Sequence, residues 1–254
     1  MGMLLGTQVL TSELLGIGHK AETGRIFRRG LWAALGLGAI LTVLIYYGAE
    51  PLFHWMFVTI APVSEQVDQI APEMIASETA KVTRILSSGL LAFMVSQVCS
   101  YYLEALRRPL LVTIVMYLGL AINLALDLAF VGGWWGVSPM GAEGVAWATT
   151  GSRWALTIVM FILVIFRTSI DGPLGEMRRQ FNVGIGTAIS NVAEWGGFNF
   201  TFIIATWISL AANSIYGYAI QIIGLCFMFY LGIGSATSVR VAEAFGRGNN
   251  DEIR

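Results

Sequence analysis

The chain has 254 residues, of which 56% are hydrophobic and 12% charged. Soluble domains average about 45–50% and about 25%, so a soluble globular fold is excluded. The net charge of −1 gives no sign of a nucleic-acid partner.

Taken in order, Met1–Leu15 reads as the tail of a helix too short to cross a bilayer alone. It lacks the basic leading region of a cleavable signal. Arg29–Tyr47, Val82–Leu106, Leu110–Val131, Gly144–Phe166, Val183–Ser209 and Ser214–Ala242 then each supply the run of about 20 mainly apolar residues that a spanning helix needs. Charges alternate between the connections. One side holds Lys20, Arg25, Arg28 and Arg29, then Arg107 and Arg108, then Arg167, Arg178 and Arg179, then Arg247 and Arg254. The other holds Lys81 and Arg84 among the acidic Glu50, Glu65, Asp68, Glu73 and Glu78. The positive-inside rule therefore places loops 16–29, 107–109, 167–182 and 246–254 in the cytoplasm. The predicted fold class is an all-α, polytopic membrane helix bundle. Trp134 and Trp135, at a helix end, suit an interfacial belt.

Gly6–Glu22 reappears, degraded, as Ala236–Glu252, shifted by 230 positions. Val9/Val239, Glu13/Glu243, Gly16/Gly246, Gly18/Gly248 and Glu22/Glu252 survive the shift. Six crossings separate the copies, so both run in the same sense, as parallel repeats about an axis along the membrane normal do. The Gly-x-Gly ending each copy reads as a helix C-terminus. It is not a dinucleotide fingerprint, which needs a preceding strand and a third glycine.

Four stretches resemble the MATE (multidrug and toxic compound extrusion) family, in its NorM-like branch. They are LLGIGHKAETGRIFRRGLW; YYLEALRRPLLV; INLALDLAFVGGWWGVSPMGAEGVAWATTGSRW; and AEWGGFNF with FYLGIGSATSVRVAEAFGRGN. The resemblance implies twelve helices in two six-helix lobes related by a pseudo-two-fold axis along the membrane normal. By that template the chain runs from the end of helix 2 through helix 8. Residues 1–168 fall in the N-lobe, 169–182 in a cytoplasmic linker and 183–254 in the C-lobe, and such a portion is not expected to transport by itself.

Glu194 is the leading functional candidate, since a carboxylate deep in a span is expensive and marks an ion or substrate pathway. At helical spacing it shares a face with Thr187, Asn191, Phe198 and Thr201. Lipid cannot satisfy such a face, so it should line a cavity. Burial and a bound cation act oppositely on the carboxylate, which suits exchange of protons or sodium. The resemblance agrees, placing a cation-site glutamate at this point of helix 7.

Asn123 and Asp127, one helical turn apart, form the second candidate. The resemblance assigns this Asn-x-x-x-Asp pair, with Thr149, to the first lobe's proton or cation site. A helix-end carboxylate reaching interfacial water is the alternative for Asp127. Arg153 must face the protein interior and is expected to form a structural ion pair with Asp127, a substrate contact being the alternative. Gln97, Tyr101 and Glu104 share a face; Gln97 is a cavity candidate, whereas Glu104 is expected to bridge to Arg107 or Arg108. Gln221 is a further cavity candidate, and Phe198 and Met228 are adaptable contacts for apolar cations. Cys99 and Cys226 lie in apolar runs without metal or redox spacing and read as small core residues. His19 and His54 lack metal-ligand spacing, so no metal and no cofactor is expected.

The function these features point to is a secondary antiporter, exporting amphipathic, often cationic, compounds against H+ or Na+ by alternating access. The resemblance implies small-molecule substrates, a surrounding of membrane lipid, a bacterial inner-membrane location and a monomeric full-length protein. A flippase for lipid-linked saccharides in a related two-lobe family is the alternative. An intramembrane enzyme is disfavoured because no His lies within a span, and a purely structural subunit leaves the polar stripes unexplained.

Overall fold

The structure is a computed structural model and describes residues 2–60, 72–168 and 178–248. Glu65, Asp68, Glu252, Arg254 and positions 169–177 of the expected linker lie outside the described residues.

Among the described residues, eight α-helices follow in order: α1 (Gly6–Ile17), α2 (Thr23–His54), α3 (Pro72–Ser88), α4 (Leu90–Ala105), α5 (Pro109–Phe130), α6 (Gly141–Ile165), α7 (Arg178–Ile208) and α8 (Leu210–Arg247). The described residues contain no strand. Five stretches among them are long and apolar enough to cross a membrane: Lys20–His54, Glu73–Ala105, Pro109–Phe130, Gly141–Ile165 and Ala211–Arg247. The sixth expected span lies in α7. Its 31 residues suffice in length, but Asn191, Glu194 and Asn199 make it more polar than the others. The chain is thus an all-α integral membrane protein.

Local chemistry sets the helix ends. Gly18, at φ 91°, and Gly248, at φ 70°, close α1 and α8 in the left-handed region that glycine enters without a Cβ clash. The Gly-x-Gly of each repeat is therefore a helix stop, as its sequence suggests. Pro109 opens α5 at a position where no backbone donor is needed. Ser209 caps α8 by accepting the Ala212 N–H at 3.0 Å.

The expected span Val82–Leu106 is interrupted: α3 and α4 meet at Gly89. There the Gly89 N–H turns to the Leu86 carbonyl, 3.1 Å away, which releases the Ile85 carbonyl from the α-helical pattern. Two hydroxyls take over, Ser88 Oγ at 2.6 Å and Thr150 Oγ1 of α6 at 3.1 Å. Thr42 Oγ1 of α2 donates to the neighbouring Ser87 carbonyl at 3.1 Å. In a bilayer this substitution is obligatory, because lipid offers no partner to a freed backbone group.

The described residues fall into two compact units. One comprises Met1–Gly30, Glu104–Arg107 and Thr168–Arg254; the other comprises Leu31–Leu103 and Arg108–Arg167. In the second unit, α5 and α6 form an antiparallel hairpin closed by the Met140 N–H to the Phe130 carbonyl at 2.8 Å. One face of α6 is committed to α3 and α4. Thr150 donates to Ile85, and Thr157 Oγ1 donates to the Ala92 carbonyl at 2.7 Å. In the first unit, α1 packs along α8 and against α7. Gln8 meets Ser235 and Gly16 meets Glu243. The Gln8–Ser235 separation is 227 residues, and the glycine contact keeps the same offset, so the helices run parallel, as the repeat requires.

Thr157→Val removes a buried interhelical hydrogen bond while keeping the side chain's shape. It is expected to destabilise the membrane-embedded protein by about 0.5–2 kcal/mol, read as an earlier midpoint in SDS unfolding from mixed micelles. An unchanged midpoint contradicts the role given to this contact.

Candidate functional site

In the Leu31–Leu103 and Arg108–Arg167 unit, Asn123 and Asp127 lie one turn apart on α5, both half-buried. Asn123 Nδ2 and Asp127 Oδ1 are buried and have no hydrogen-bond partner among the described residues. An unmet buried polar atom costs about 1–3 kcal/mol, more for a charged group. Gln8 Oε1, Thr11 Oγ1, Gln180 Oε1 and Asn213 Oδ1 are unmet in the same sense, and Asp127 is the carboxylate in this group among the described residues. Thr149 and Gln97 are half-buried on α6 and α4.

The ion pair expected between Arg153 and Asp127 is not formed. The Arg153 guanidinium lies over the Phe93 ring of α4, 5.3 Å from its centroid, where the π face supplies a partial counter-charge. The reason is helical phase. Thr150, Arg153 and Thr157 recur at intervals of three and four, so Arg153 shares the α6 face that meets α3 and α4. Asp127 belongs to α5, on another side. An apolar groove in this unit, lined by Leu126, Phe130, Met140, Trp147 and Trp154, includes none of the expected cavity residues.

In the other unit, α7 runs without interruption from Arg178 to Ile208, so the predicted stripe does lie on one face. Thr187, Asn191 and Phe198 are half-buried, while Glu194 and Thr201 are exposed. Thr201 Oγ1 returns to the Gly197 carbonyl at 3.0 Å. Trp195 packs edge-on against Phe198 and Phe227, which joins the middle of α7 to α8. Gln221 and Met228 are exposed on α8, and the two cysteines divide, with Cys99 buried and Cys226 exposed.

The polar chemistry that sequence reasoning missed is concentrated on α1. Thr7, Gln8, Thr11 and Ser12 are all fully buried. Gln8 Nε2 donates to Glu104 Oε2 at 2.7 Å and to Ser235 Oγ at 3.0 Å, and Ser235 Oγ donates to the same carboxylate oxygen at 3.1 Å. Glu104 is thus a three-helix node and not the bridge to Arg107 or Arg108 that its neighbours suggested. Arg107 closes α4 at φ 58°, its N–H on the Glu104 carbonyl and that of Arg108 on Leu103. This helix-end geometry turns its guanidinium to Glu243 instead. Gln180 Nε2 of α7 donates to Thr7 Oγ1 at 2.9 Å and to the Ile26 carbonyl at 3.3 Å. Arg179 Nη2 meets both oxygens of Glu13 at 2.7 and 3.0 Å. The repeat contained Gln8, Glu13 and Glu243, but their partners are 96, 166 and 136 residues away, beyond any local pattern.

The MatE family profile matches residues 1–129 and 187–254. A probable multidrug resistance protein NorM of Caulobacter vibrioides is 32% identical over 261 residues, covering 97% of this chain and 51% of that protein. The similarly named protein of Xanthomonas axonopodis pv. citri is 27% identical, covering 100% of this chain and 55% of its own length. The chain thus spans about half the length of the curated relatives it matches. Among solved structures, the eukaryotic MATE transporter AtDTX14 superposes at a TM-score of 0.82 with 21% identity, covering 100% of this chain and 55% of that one. A MOP superfamily transporter from Pyrococcus furiosus superposes at 0.81 with 20% identity, covering 99% and 54%. These likenesses carry the fold.

Glu104→Ala is expected to strip Gln8 and Ser235 of their shared acceptor and to destabilise the protein by about 1–3 kcal/mol. The check is the thermal midpoint of the detergent-solubilised protein followed by size-exclusion fluorescence. A midpoint matching wild type contradicts the node.

Proposed function

The chain belongs to the MatE family, and from that premise we propose that it forms the core of a secondary antiporter. This protein exports amphipathic, often cationic, compounds in exchange for H+ or Na+ by alternating access. What supports the reading is a pair of carboxylates on long helices, Asp127 beside Asn123 on α5 and Glu194 in the polar stripe of α7. The unpartnered buried oxygen of Asp127 supports it most directly.

The chemistry follows from charge balance. A carboxylate at membrane depth needs a counter-charge, and a proton, a sodium ion or a cationic substrate each provides one. Because the occupants compete for one negative charge, loading the coupling ion from outside expels the substrate, and loading substrate from inside expels the ion. Exchange becomes vectorial when the occupied and empty forms favour opposite-facing conformations. Thr149 is assigned with Asn123 and Asp127 to the first lobe's ion site. Gln97, Asn191, Phe198, Thr201 and Gln221 are assigned to the substrate cavity. Arg153, on Phe93, is left with a packing role. The lobe division at 168 and 183, and the cytoplasmic placement of the basic loops, belong to the same proposal.

In a full-length protein carrying this chain, Glu194→Gln is expected to lower drug resistance of an efflux-deficient host on the order of tenfold, the scale of a typical coupling free energy. The amount of protein in the membrane should not change. Asp127→Asn is expected to lose less. Wild-type resistance in the Glu194→Gln strain would sink the assignment of Glu194. An unaltered dependence on imposed pH or sodium gradients in Asp127→Asn would remove Asp127 from the coupling site.

A further inference from the structure

The duplicated motif has a structural meaning that the ion and substrate sites do not use. Where α1 and α8 pass each other, a Cβ on Gly16 would overlap the Glu243 carbonyl oxygen, and a Cβ on Gly246 would overlap the Glu13 carbonyl oxygen. These four residues are two of the repeat's five invariant pairs exchanged with one another, so a local two-fold axis passes between the helices at this point. The same symmetry extends to charge. The Glu13 side chain is 12% exposed and is held by Arg179 from the start of α7. Its counterpart Glu243 is 13% exposed and is held by Arg107 from the end of α4, with Arg247 3.6 Å away. Both arginines stand mostly in the open, at 65% and 66% exposure. Each carboxylate is thus enclosed at the crossing while its cation approaches from the solvent side.

We propose that this repeated Glu-x-x-Gly motif is the inner gate of the transporter, a two-fold clasp drawn here in its closed state. The proposal rests on the alternating-access reading and on the cytoplasmic placement of the basic loops. The glycines let the two backbones touch and set how tightly the cytoplasmic ends of α1 and α8 close. The two Glu–Arg pairs hold that contact from opposite sides. Opening to the cytoplasm separates α1 from α8 and breaks both pairs, and the exposed guanidiniums then return to water at little loss. A motif duplicated with the lobes provides one latch per lobe, so neither half opens alone. Glu13, Glu243, Arg107 and Arg179 act as positioning residues, setting the balance between inward-open and inward-closed forms.

The test uses the full-length transporter carrying this chain, with Cys99→Ala, Cys226→Ala and the reporter Ser12→Cys. Ser12 is fully buried and adjoins Glu13. In inside-out vesicles, labelling by a membrane-impermeant maleimide reports opening on the cytoplasmic side. Glu13→Gln and Glu243→Gln are each expected to raise the labelling rate about fivefold, the ratio that one lost, partly screened pair corresponds to. The exchange Glu243→Arg with Arg107→Glu is expected to bring labelling back from the level of Glu243→Arg alone toward that of the reporter protein. With the clasp unmutated, raising KCl from about 0.05 M to about 1 M should increase labelling, because screening weakens the exposed ends of both pairs; this arm does not depend on a variant folding. Labelling at the parent rate in both single variants, no recovery in the exchange, or a flat salt response each overturns the clasp. If Glu194→Gln retains resistance while labelling responds as stated, the transport assignment fails and the clasp stands. If resistance is lost but labelling is insensitive, the clasp alone fails.

Discussion

Every polar group placed at membrane depth must find its partner inside the protein, because hydrocarbon offers none. The described structure is organised around that requirement. Leu, Ile and Trp side chains such as Ile40, Leu44, Trp32 and Leu120 face outward, since packing them inward gains little when lipid is equally apolar. Hydroxyls and amides turn inward instead. Thr7, Gln8, Thr11 and Ser12 occupy positions that a soluble protein would fill with Leu or Val. Thr150 and Thr157 fasten α6 to α3 and α4 by donating to main-chain carbonyls.

The same requirement accounts for the irregularities. The break at Gly89 is tolerated because Ser88 and Thr150 supply the donors that the helix gives up. It also makes the exceptions informative. Asn123 Nδ2 and Asp127 Oδ1 are unmet one turn apart on α5, and the oxygens of Gln8, Thr11, Gln180 and Asn213 are unmet among the described residues as well. Glu104 is the opposite case, a carboxylate whose two donors come from its own unit and which therefore binds helices together.

Much of the fold was legible in advance. Helix identity follows from long apolar runs, and the sense of the repeat from counting crossings between basic loops. The helix ends at Gly18 and Gly248 follow from the conformation that only glycine enters freely. Register along single helices was legible too: Asn123 with Asp127 on α5, and Asn191 with Glu194 and Phe198 on α7. Partnerships between helices were not. Arg153 looked like a match for Asp127 because that was the nearest obvious counter-charge, but the azimuth of α6 relative to α4 and α5 decided otherwise. Glu104 looked like a match for Arg107 because they were neighbours, but the left-handed turn at Arg107 carried its side chain to Glu243.

The sequence by itself determined that this protein is a duplicated bundle of membrane helices and that the copies run in one sense. Those properties depend on hydropathy, charge order and glycine's backbone freedom, all of which act within one helix or one loop. The tertiary structure alone decided which polar groups meet. Contact between helices depends on their rotation and crossing point, and these emerge only when all of the faces are packed together. The passage of Gly16 beside Glu243, and of Gly246 beside Glu13, shows this most clearly. The repeat was visible as five matching letters, whereas its physical content, two backbones in contact about a shared axis, exists only in three dimensions.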